Sequence, residues 1–327
     1  MTDEITTYAD VKAAEDRIRG HAVRTALRRS PALDAATGGR ILLKCEIEQR
    51  TGSFKFRGAF NRMSLIPREQ RDAGVVAYSS GNHAQAVAAV AKLLGMPATI
   101  VMPSDAPAVK IARTKEHGAE VVLYDRAREV REEIGGRIAA ERGATIVPPF
   151  DDRHIVAGQG TCGLEIVAQA HEQGLVPDAV LVPCSGGGLA SGIGLAVKAG
   201  LRDAEIVVVE PEGFDDTQRS LAAGERLSNP AASGSICDAL LAPTPGRITF
   251  AILARLAARG VAVSDAEALA AMAFAHKALS VTVEPGGAVA LAALLSGKFD
   301  ARERTVVAVL SGGNVDEAML RRALIGP

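Results

Sequence analysis

The sequence predicts an α/β fold, because short runs rich in β-branched residues alternate with longer alanine-rich runs along most of the chain. Four apolar runs begin near residues 74, 98, 119 and 144. That spacing, about 20 to 25 residues, is typical of a strand followed by a helix. The apolar runs are continuous rather than alternating, which indicates strands buried on both faces of a parallel sheet.

The first half of the chain is expected to contain five strands and at least three helices. Runs of valine, isoleucine and leucine predict strands over residues 41–46, 74–79, 98–103, 119–125 and 144–149. Segments rich in alanine and charged residues lie between the last four of these runs. They predict helices over residues 83–95, 107–117 and 126–142.

The second half repeats this alternation. Three further apolar runs predict strands over residues 178–184, 205–211 and 304–314, the last ending in a glycine turn. Alanine-rich segments predict helices over residues 189–200, 248–259, 265–279 and 286–296.

The composition of the 327-residue chain excludes several functional classes. With 37 Lys and Arg against 38 Asp and Glu, the chain lacks the positive charge of a protein that binds nucleic acid through its phosphates. No apolar run approaches the ~20 residues of a membrane span. The N-terminus is acidic and polar rather than signal-like, so we expect a cytoplasmic protein. Four scattered cysteines without a Cys-x-x-Cys pair predict buried thiols rather than a zinc site or disulfides.

Lys55 is the first candidate for chemistry. Ser53 is predicted to cap a helix, with Phe56 and Phe60 on its apolar face, so Lys55 would lie in the first turn. A helix N-terminus disfavours a cation, and the phenylalanines on either side of Lys55 limit its hydration. Both effects lower the pKa of the lysine, as a Schiff-base amine requires. A surface lysine on an amphipathic helix is the alternative for this segment taken alone.

Three predicted strands end in small polar residues and glycine: YSSGNH at 78–83, PCSGGGLASG at 183–192 and LSGGNVD at 310–316. Ligands of parallel sheets bind beyond the carboxyl ends of the strands, where backbone amides and helix N-termini favour an anion. A tight strand-to-helix turn is the alternative for SGGG alone. The loop has neither the Gly-x-Gly-x-x-Gly spacing nor a Walker lysine.

These motifs, together with SFKFRGA and VEPEGFDD and in this order, resemble the pyridoxal-phosphate enzymes of the threonine dehydratase and serine racemase family. The resemblance covers about residues 5–322. It implies two doubly wound α/β domains, a large one of residues 1–68 and 154–327 and a small one of residues 69–153. The cofactor would lie in the cleft between them.

The resemblance also implies how pyridoxal 5'-phosphate would be held. Lys55 would bind it covalently, and the backbone of the glycine-rich loop would hold the phosphate. Asn82 would donate to the 3'-oxygen, and Ser311 would face the pyridine nitrogen. The cofactor-binding residues are therefore predicted to be Phe54, Lys55, Asn82, Ser185, Gly186, Gly187, Gly188, Leu189, Glu284 and Ser311. Ser185 stands where the family commonly has a glycine, and Ala239 where it often has the glycine of an Asp-Gly pair.

The substrate is implied to be a small amino acid whose carboxylate is bound at the turn that follows the 74–79 run. The residues predicted to bind it are Ser79, Ser80, Gly81, Asn82 and His83. Lys55 would remove the Cα proton. Ser80 corresponds to an acid/base in the racemases of the family, and its role here is left open between proton transfer and substrate binding.

A divalent cation, Mg²⁺ or Ca²⁺, is implied at Glu210, the Phe214 carbonyl and Asp216. These are hard oxygen ligands. A solvated acidic loop is the alternative.

The leading functional prediction is a homodimeric ammonia-lyase that converts L-threonine or L-serine to a 2-oxo acid. Alternatives within the family are a serine or aspartate racemase and a dehydratase of 3-hydroxyaspartate or another β-hydroxy amino acid. A non-catalytic small-ligand binding protein is the alternative from another class.

Overall fold

A computed structural model describes residues 5–325 except 107, 126 and 127. The strands of this part of the chain are Leu27–Arg29 (β1), Arg40–Cys45 (β2), Val75–Tyr78 (β3), Ala98–Pro103 (β4), Glu120–Tyr124 (β5), Thr145–Ile146 (β6), Ala179–Pro183 (β7), Glu205–Pro211 (β8), Arg259–Val263 (β9) and Thr305–Leu310 (β10).

The α-helices are Tyr8–Ile18 (α1), Pro31–Thr37 (α2), Lys55–Ser64 (α3), Asn82–Leu94 (α4), Ala108–Glu116 (α5), Arg131–Arg142 (α6), Arg153–Glu172 (α7), Gly188–Gly200 (α8), Asp216–Ala223 (α9), Arg247–Arg255 (α10), Asp265–Leu279 (α11), Pro285–Leu295 (α12) and Glu317–Ile325 (α13). None of the helices described is both long and apolar enough to cross a membrane.

The strands form two sheets, which confirms the predicted α/β class. The larger sheet has the order β1-β2-β10-β7-β8-β9, and the smaller has the order β5-β4-β3-β6. Every neighbouring pair is parallel except β1 with β2, which are antiparallel. The strands of the smaller sheet come from one continuous stretch of chain between β2 and β7. The domain limits at residues 69 and 153 stay a prediction.

Both faces of the larger sheet are buried, as the continuous apolar runs predict. In β7, Ala179 and Leu181 pack into one apolar cluster with α11 and α12, whereas Val180 and Val182 pack into another with α7 and α8. The smaller sheet is likewise covered, by α4 on one side and α6 on the other. The core therefore consists of layers on either side of two sheets.

Several predicted boundaries are wrong. The helix expected at 126–142 begins at Arg131, and residues 126 and 127 lie outside the described residues. The strand expected at 144–149 is limited to Thr145–Ile146 at the edge of the smaller sheet; the Val147 amide still donates to the Val76 carbonyl at 2.9 Å, but Pro148 and Pro149 have no amide hydrogen to continue the pairing. The helix expected at 248–259 ends at Arg255, and β9 begins at Arg259.

Helix α7, which runs for 20 residues, contacts its neighbours through glycines. A Cβ atom added at Gly158 would lie 2.7 Å from the Arg57 carbonyl oxygen on α3. One added at Gly192 on α8 would lie 2.5 Å from the Val156 carbonyl oxygen and 2.6 Å from the Gly160 amide nitrogen. The backbones of α3, α7 and α8 thus approach too closely for any larger residue at these positions.

We predict that Gly192→Ala destabilises the protein by about 1 to 3 kcal/mol, because the added methyl group meets backbone atoms that cannot move aside. Gly136→Ala is the matched control, since Gly136 lies inside α6 and nothing is within 4 Å of its added Cβ. The control should gain about 0.5 to 1 kcal/mol from helix propensity. Urea denaturation of both variants measures these changes, and equal stabilities would contradict the close packing of α7 and α8.

Candidate active site

Lys55 is the first residue of α3, and its surroundings favour a neutral amine. Its Nζ donates to the Pro149 carbonyl oxygen at 2.6 Å and lies 5.1 Å from the centre of the Phe54 ring. Burial lowers the pKa of Lys55 to about 8, because the ammonium loses hydration and the carbonyl carries no full charge to replace it. The amine can therefore act as a nucleophile near neutral pH.

The predicted N-cap of α3 is wrong. Phe54 occupies the position before Lys55, and no side chain caps the helix. Ser53 instead forms an isolated antiparallel bridge with Gly312, and its buried hydroxyl has no hydrogen-bond partner within the described residues. The extended backbone of Ser53 (φ −160°) thus joins the start of α3 to the loop after β10.

A buried ion cluster fixes the position of α3. The Arg57 guanidinium donates at 2.8 Å to both carboxylate oxygens of Glu46, which follows β2, and at 2.7 and 2.9 Å to those of Glu165 on α7. Lys44 Nζ donates to Glu165 at 2.6 Å. Burial alone would raise the pKa of Glu46, but the Arg57 charge lowers it. Two cations and two carboxylates thus compensate one another inside the protein.

The glycine-rich loop of residues 185–189 links β7 to α8. The described residues supply no acceptor for the backbone amides of Ser185, Gly186 and Gly188. The Gly186 carbonyl accepts from the Thr249 hydroxyl at 2.6 Å and from the Gly246 amide at 3.1 Å. This side of the peptide is therefore fixed, and the loop keeps amides free for an anion at the start of a helix.

Phe150 brings the loop and Lys55 together. A Cβ atom added at Gly186 would collide with the Phe150 ring, and one added at Gly188 would lie 3.1 Å from the Phe150 Cβ. Phe150 directly follows Pro149, which accepts from Lys55. Sequence reasoning assigned no role to either residue.

The turn after β3 leads into α4 and carries the predicted substrate-binding residues. Ser79, Ser80, Gly81 and Asn82 are half-buried, and the Gly81 amide donates to the Ser79 hydroxyl at 3.3 Å. His83 is buried, and its Nε2 lies 2.9 Å from the Val147 carbonyl oxygen. Burial, followed by the charge of Lys55, lowers the pKa of His83 to about 3, so the ring is neutral and Nε2 carries its proton.

Asn82, Glu284 and Ser311 meet around the loop after β10. Asn82 Nδ2 donates to Glu284 Oε1 at 2.5 Å, and the Phe54 amide donates to the Ser311 carbonyl at 3.1 Å. A Cβ atom at Gly312 would collide with the Glu284 carboxylate. Burial raises the pKa of Glu284 to about 7.

The predicted cation ligands Glu210 and Asp216 are connected to the glycine-rich loop through Thr217. The Thr217 hydroxyl, next to Asp216, donates to the Ser185 carbonyl at 3.3 Å. Asp216 Oδ1 accepts from Asn229 at 2.7 Å, whereas its buried Oδ2 has no hydrogen-bond partner within the described residues. Burial and then the Asp216 charge raise the pKa of Glu210 well above its usual value.

The Glu210 oxygens accept from the Thr217 amide at 3.1 Å and the Gln218 amide at 2.8 Å, so a hard cation here would share them and would offset the repulsion between Glu210 and Asp216. Burial raises the pKa of Asp216 to about 6. The described part of the chain contains no cluster of three His, Cys, Asp or Glu side chains suited to a metal. A site here would therefore use two carboxylates and carbonyl oxygens.

The structure also reveals an ion pair that sequence reasoning missed. Lys110 on α5 contacts Asp238, which lies in a short turn between α9 and α10. Both charges act on Glu284, since the Lys110 charge lowers its pKa and the Asp238 charge raises it. The pair thus joins the layer around the smaller sheet to that around the larger sheet, beside the other site residues. Lys110 ends the segment APAVK at residues 106–110, to which the sequence analysis assigned no role.

Comparisons with known proteins identify the family. A model of the family described as "Pyridoxal-phosphate dependent enzyme" matches residues 18–312. An L-threo-3-hydroxyaspartate ammonia-lyase from Pseudomonas sp is 45% identical over 96% of this chain and 97% of its own length.

Two solved structures are similar over nearly the whole chain. A threonine deaminase from T.th. has a TM-score of 0.89 at 42% identity, covering 95% of this chain and 99% of its own. A serine racemase from maize has a TM-score of 0.91 at 37% identity, covering 98% and 97%. The fold, the buried amine and these similarities lead to one conclusion: the chain belongs to the family of pyridoxal-phosphate-dependent enzymes.

Proposed function

We propose that this protein is a dehydrating ammonia-lyase that acts on a small β-hydroxy amino acid, with L-threo-3-hydroxyaspartate as the preferred substrate. The observation that carries the proposal is the Lys55 amine, which has a pKa of about 8 and is connected through Pro149 and Phe150 to the glycine-rich loop. The β-hydroxyl leaves as water, and a water molecule then hydrolyses the resulting imine, which releases ammonia and leaves a 2-oxo diacid.

The described residues fit pyridoxal phosphate. Lys55 supplies an amine for the aldehyde, and the amides of Ser185, Gly186 and Gly188 supply donors for the phosphate. Asn82 would donate to the 3'-oxygen, and Ser311 would present its hydroxyl to the pyridine nitrogen. When bound, the cofactor supplies an electron sink for the pair left at Cα after deprotonation.

The chain's own residues would bind the substrate and move its protons. The amides at the start of α4, with the hydroxyls of Ser79 and Ser80, would hold the α-carboxylate. Lys55 would take the proton from Cα, a task for which a lowered pKa is needed. Neutral His83 adds no second positive charge beside Lys55, and burial rather than His83 therefore lowers the pKa of the amine.

Substrate choice is proposed to depend on Lys110. A β-carboxylate needs a cation, and Lys110 places one near enough to Glu284 for its charge to lower the pKa of that carboxyl. The Pseudomonas relative named for hydroxyaspartate supports this choice. The second candidate is L-threonine or L-serine, because Asp238 already neutralises Lys110 and an uncharged side chain would leave that pair intact. The threonine deaminase of similar structure supports this alternative.

Lys55→Ala should abolish turnover and the visible absorption band of protein loaded with pyridoxal phosphate. Lys92→Ala, at an exposed lysine of α4, is the control that should retain both. In the wild type, the rate of covalent cofactor attachment should rise about tenfold per pH unit and level off near pH 8, where the amine becomes neutral. A rate that keeps rising to pH 10 would show an ordinary lysine.

Lys110→Met tests whether Lys110 determines which substrate is preferred. Loss of one charge-assisted hydrogen bond, about 1.5 to 3 kcal/mol, predicts a ~10- to 100-fold lower kcat/KM on L-threo-3-hydroxyaspartate, with little change on L-serine and L-threonine. Lys115→Met, at an exposed lysine of the same helix, is the control. The assay follows 2-oxo acid and ammonia. Equal losses of kcat/KM on all three substrates would contradict a role in substrate choice. Lys110 would then have only a structural role, through its contact with Asp238.

A racemase can be distinguished from a lyase by the configuration of the amino acid that remains after the reaction. Ser80 is proposed as a substrate-binding hydroxyl in the lyase and as an acid/base in a racemase. Chiral analysis of the amino acid recovered from L-serine and L-aspartate decides between these roles, because a lyase consumes the L-form without accumulating the D-form.

Mg²⁺ or Ca²⁺ is expected to raise the melting temperature of protein stripped with a chelator. Binding to the folded state alone stabilises it by about 2.7 kcal/mol at a hundredfold excess over Kd. Asp216→Asn should abolish the response because it removes a buried anionic ligand, whereas Asp215→Asn, next to it, should retain the response. Identical melting curves of the wild type with chelator and with cation would contradict the site.

A further inference from the structure

We propose that Asn314 is a positioning residue that fixes which end of the Asn82 amide faces the cofactor, an inference that rests on the proposed function. Asn314 lies in the loop after β10 and touches two acceptors. Its Nδ2 donates to the Thr51 carbonyl oxygen at 2.7 Å and to Asn82 Oδ1 at 2.8 Å. Asn82 Nδ2 donates in turn to Glu284.

The Thr51 carbonyl determines the direction of these hydrogen bonds, from Asn314 through Asn82 to Glu284. The oxygen and nitrogen of a side-chain amide are nearly equal in size, so packing alone does not orient it. A backbone carbonyl, however, can only accept. The end of Asn314 that faces Thr51 must therefore be the NH₂ group, which also donates to Asn82. Asn82 must then present its oxygen to Asn314 and its NH₂ group to the opposite side.

The NH₂ group of Asn82 then lies where a donor is needed. In the described residues it donates to the Glu284 carboxylate at 2.5 Å. In the loaded protein it would face the 3'-oxygen of pyridoxal phosphate, which carries negative charge. A reversed Asn82 would place its carbonyl oxygen against the negatively charged 3'-oxygen. The orientation set by Thr51 and Asn314 therefore turns a repulsive contact into a hydrogen bond.

The backbone beside Asn314 is shaped for this contact. Thr51 has φ +64°, a left-handed conformation that is uncommon for a β-branched residue, and it holds the carbonyl towards Asn314. Gly52 has φ +72°, and a Cβ atom there would lie 2.7 Å from Asn314 Oδ1. The Gly313 amide donates to the Gly52 carbonyl at 2.9 Å, which ties the two loops together. Strain at Thr51 thus coincides with the contact that sets the polarity.

The test is Asn314→Asp, which is isosteric but cannot donate to Thr51 or Asn82 when ionised. We expect ~10- to 100-fold weaker binding of pyridoxal phosphate by the apoprotein and a shifted visible absorption band, because Asn82 reverses. Asp316→Asn is the control. It changes charge in the same loop, where Asp316 caps α13 through the Met319 amide, and it should bind like the wild type.

Two further measurements separate positioning from general damage. The affinity ratio of wild type to Asn314→Asp should shrink as the pH falls and the introduced carboxyl gains a proton that it can donate. Asn314→Ala, which removes the donors without adding charge, should show a smaller loss in the same direction.

If Asn314→Asp keeps the affinity and spectrum of the wild type, or if Asp316→Asn loses as much affinity, the role of Asn314 is overturned. The proposed function would still stand. A wild-type protein without a Lys55-dependent band would overturn both this role and the proposed function.

Discussion

The guanidinium of Arg57 is buried between the carboxylates of Glu46 and Glu165, and this cluster determines where α3 begins. An uncompensated charge at this depth costs about 3 to 5 kcal/mol, so the three elements that supply the partners cannot shift independently. Lys55 lies two residues before Arg57 on the same helix. The position of the reactive amine therefore depends on an ion cluster that contacts neither substrate nor cofactor.

Burial sets the protonation states of the ionisable side chains around that amine. Burial keeps His83 neutral near pH 7 and lowers the pKa of Lys55 to about 8, whereas it raises the pKa of Glu284 to about 7. The free amides of the glycine-rich loop and the start of α4 supply positive potential without a second ionised side chain. Anionic groups can thus be bound at several points while the amine stays available for proton transfer.

Strands and motifs that are defined by neighbouring residues could be predicted from the sequence. Features that depend on contacts between distant parts of the chain could not. The apolar run of Glu205–Pro211 is a strand as predicted, and the family motifs led to Lys55 and the glycine-rich loop. The long helix α7 was not predicted, because its glycines suggest turns until α3 and α8 are packed against them. The contacts of Lys110 with Asp238 and of Asn314 with Thr51 join residues more than 100 positions apart, for which no local pattern exists. Ser53 met the rule for an N-cap, but its bridge to Gly312 took precedence.

The insertion of the smaller sheet between β2 and β7 has a mechanical consequence. The chain passes between the two sheets twice, once through α3 and once through the segment after β6, and the hydrogen bond from Lys55 to Pro149 joins these two passages. A body attached at two neighbouring points pivots about the line through them, and displacement grows with distance from that line. Any swing of the smaller sheet would then displace most the parts of it that lie far from that line, while the amine stays almost stationary at the pivot.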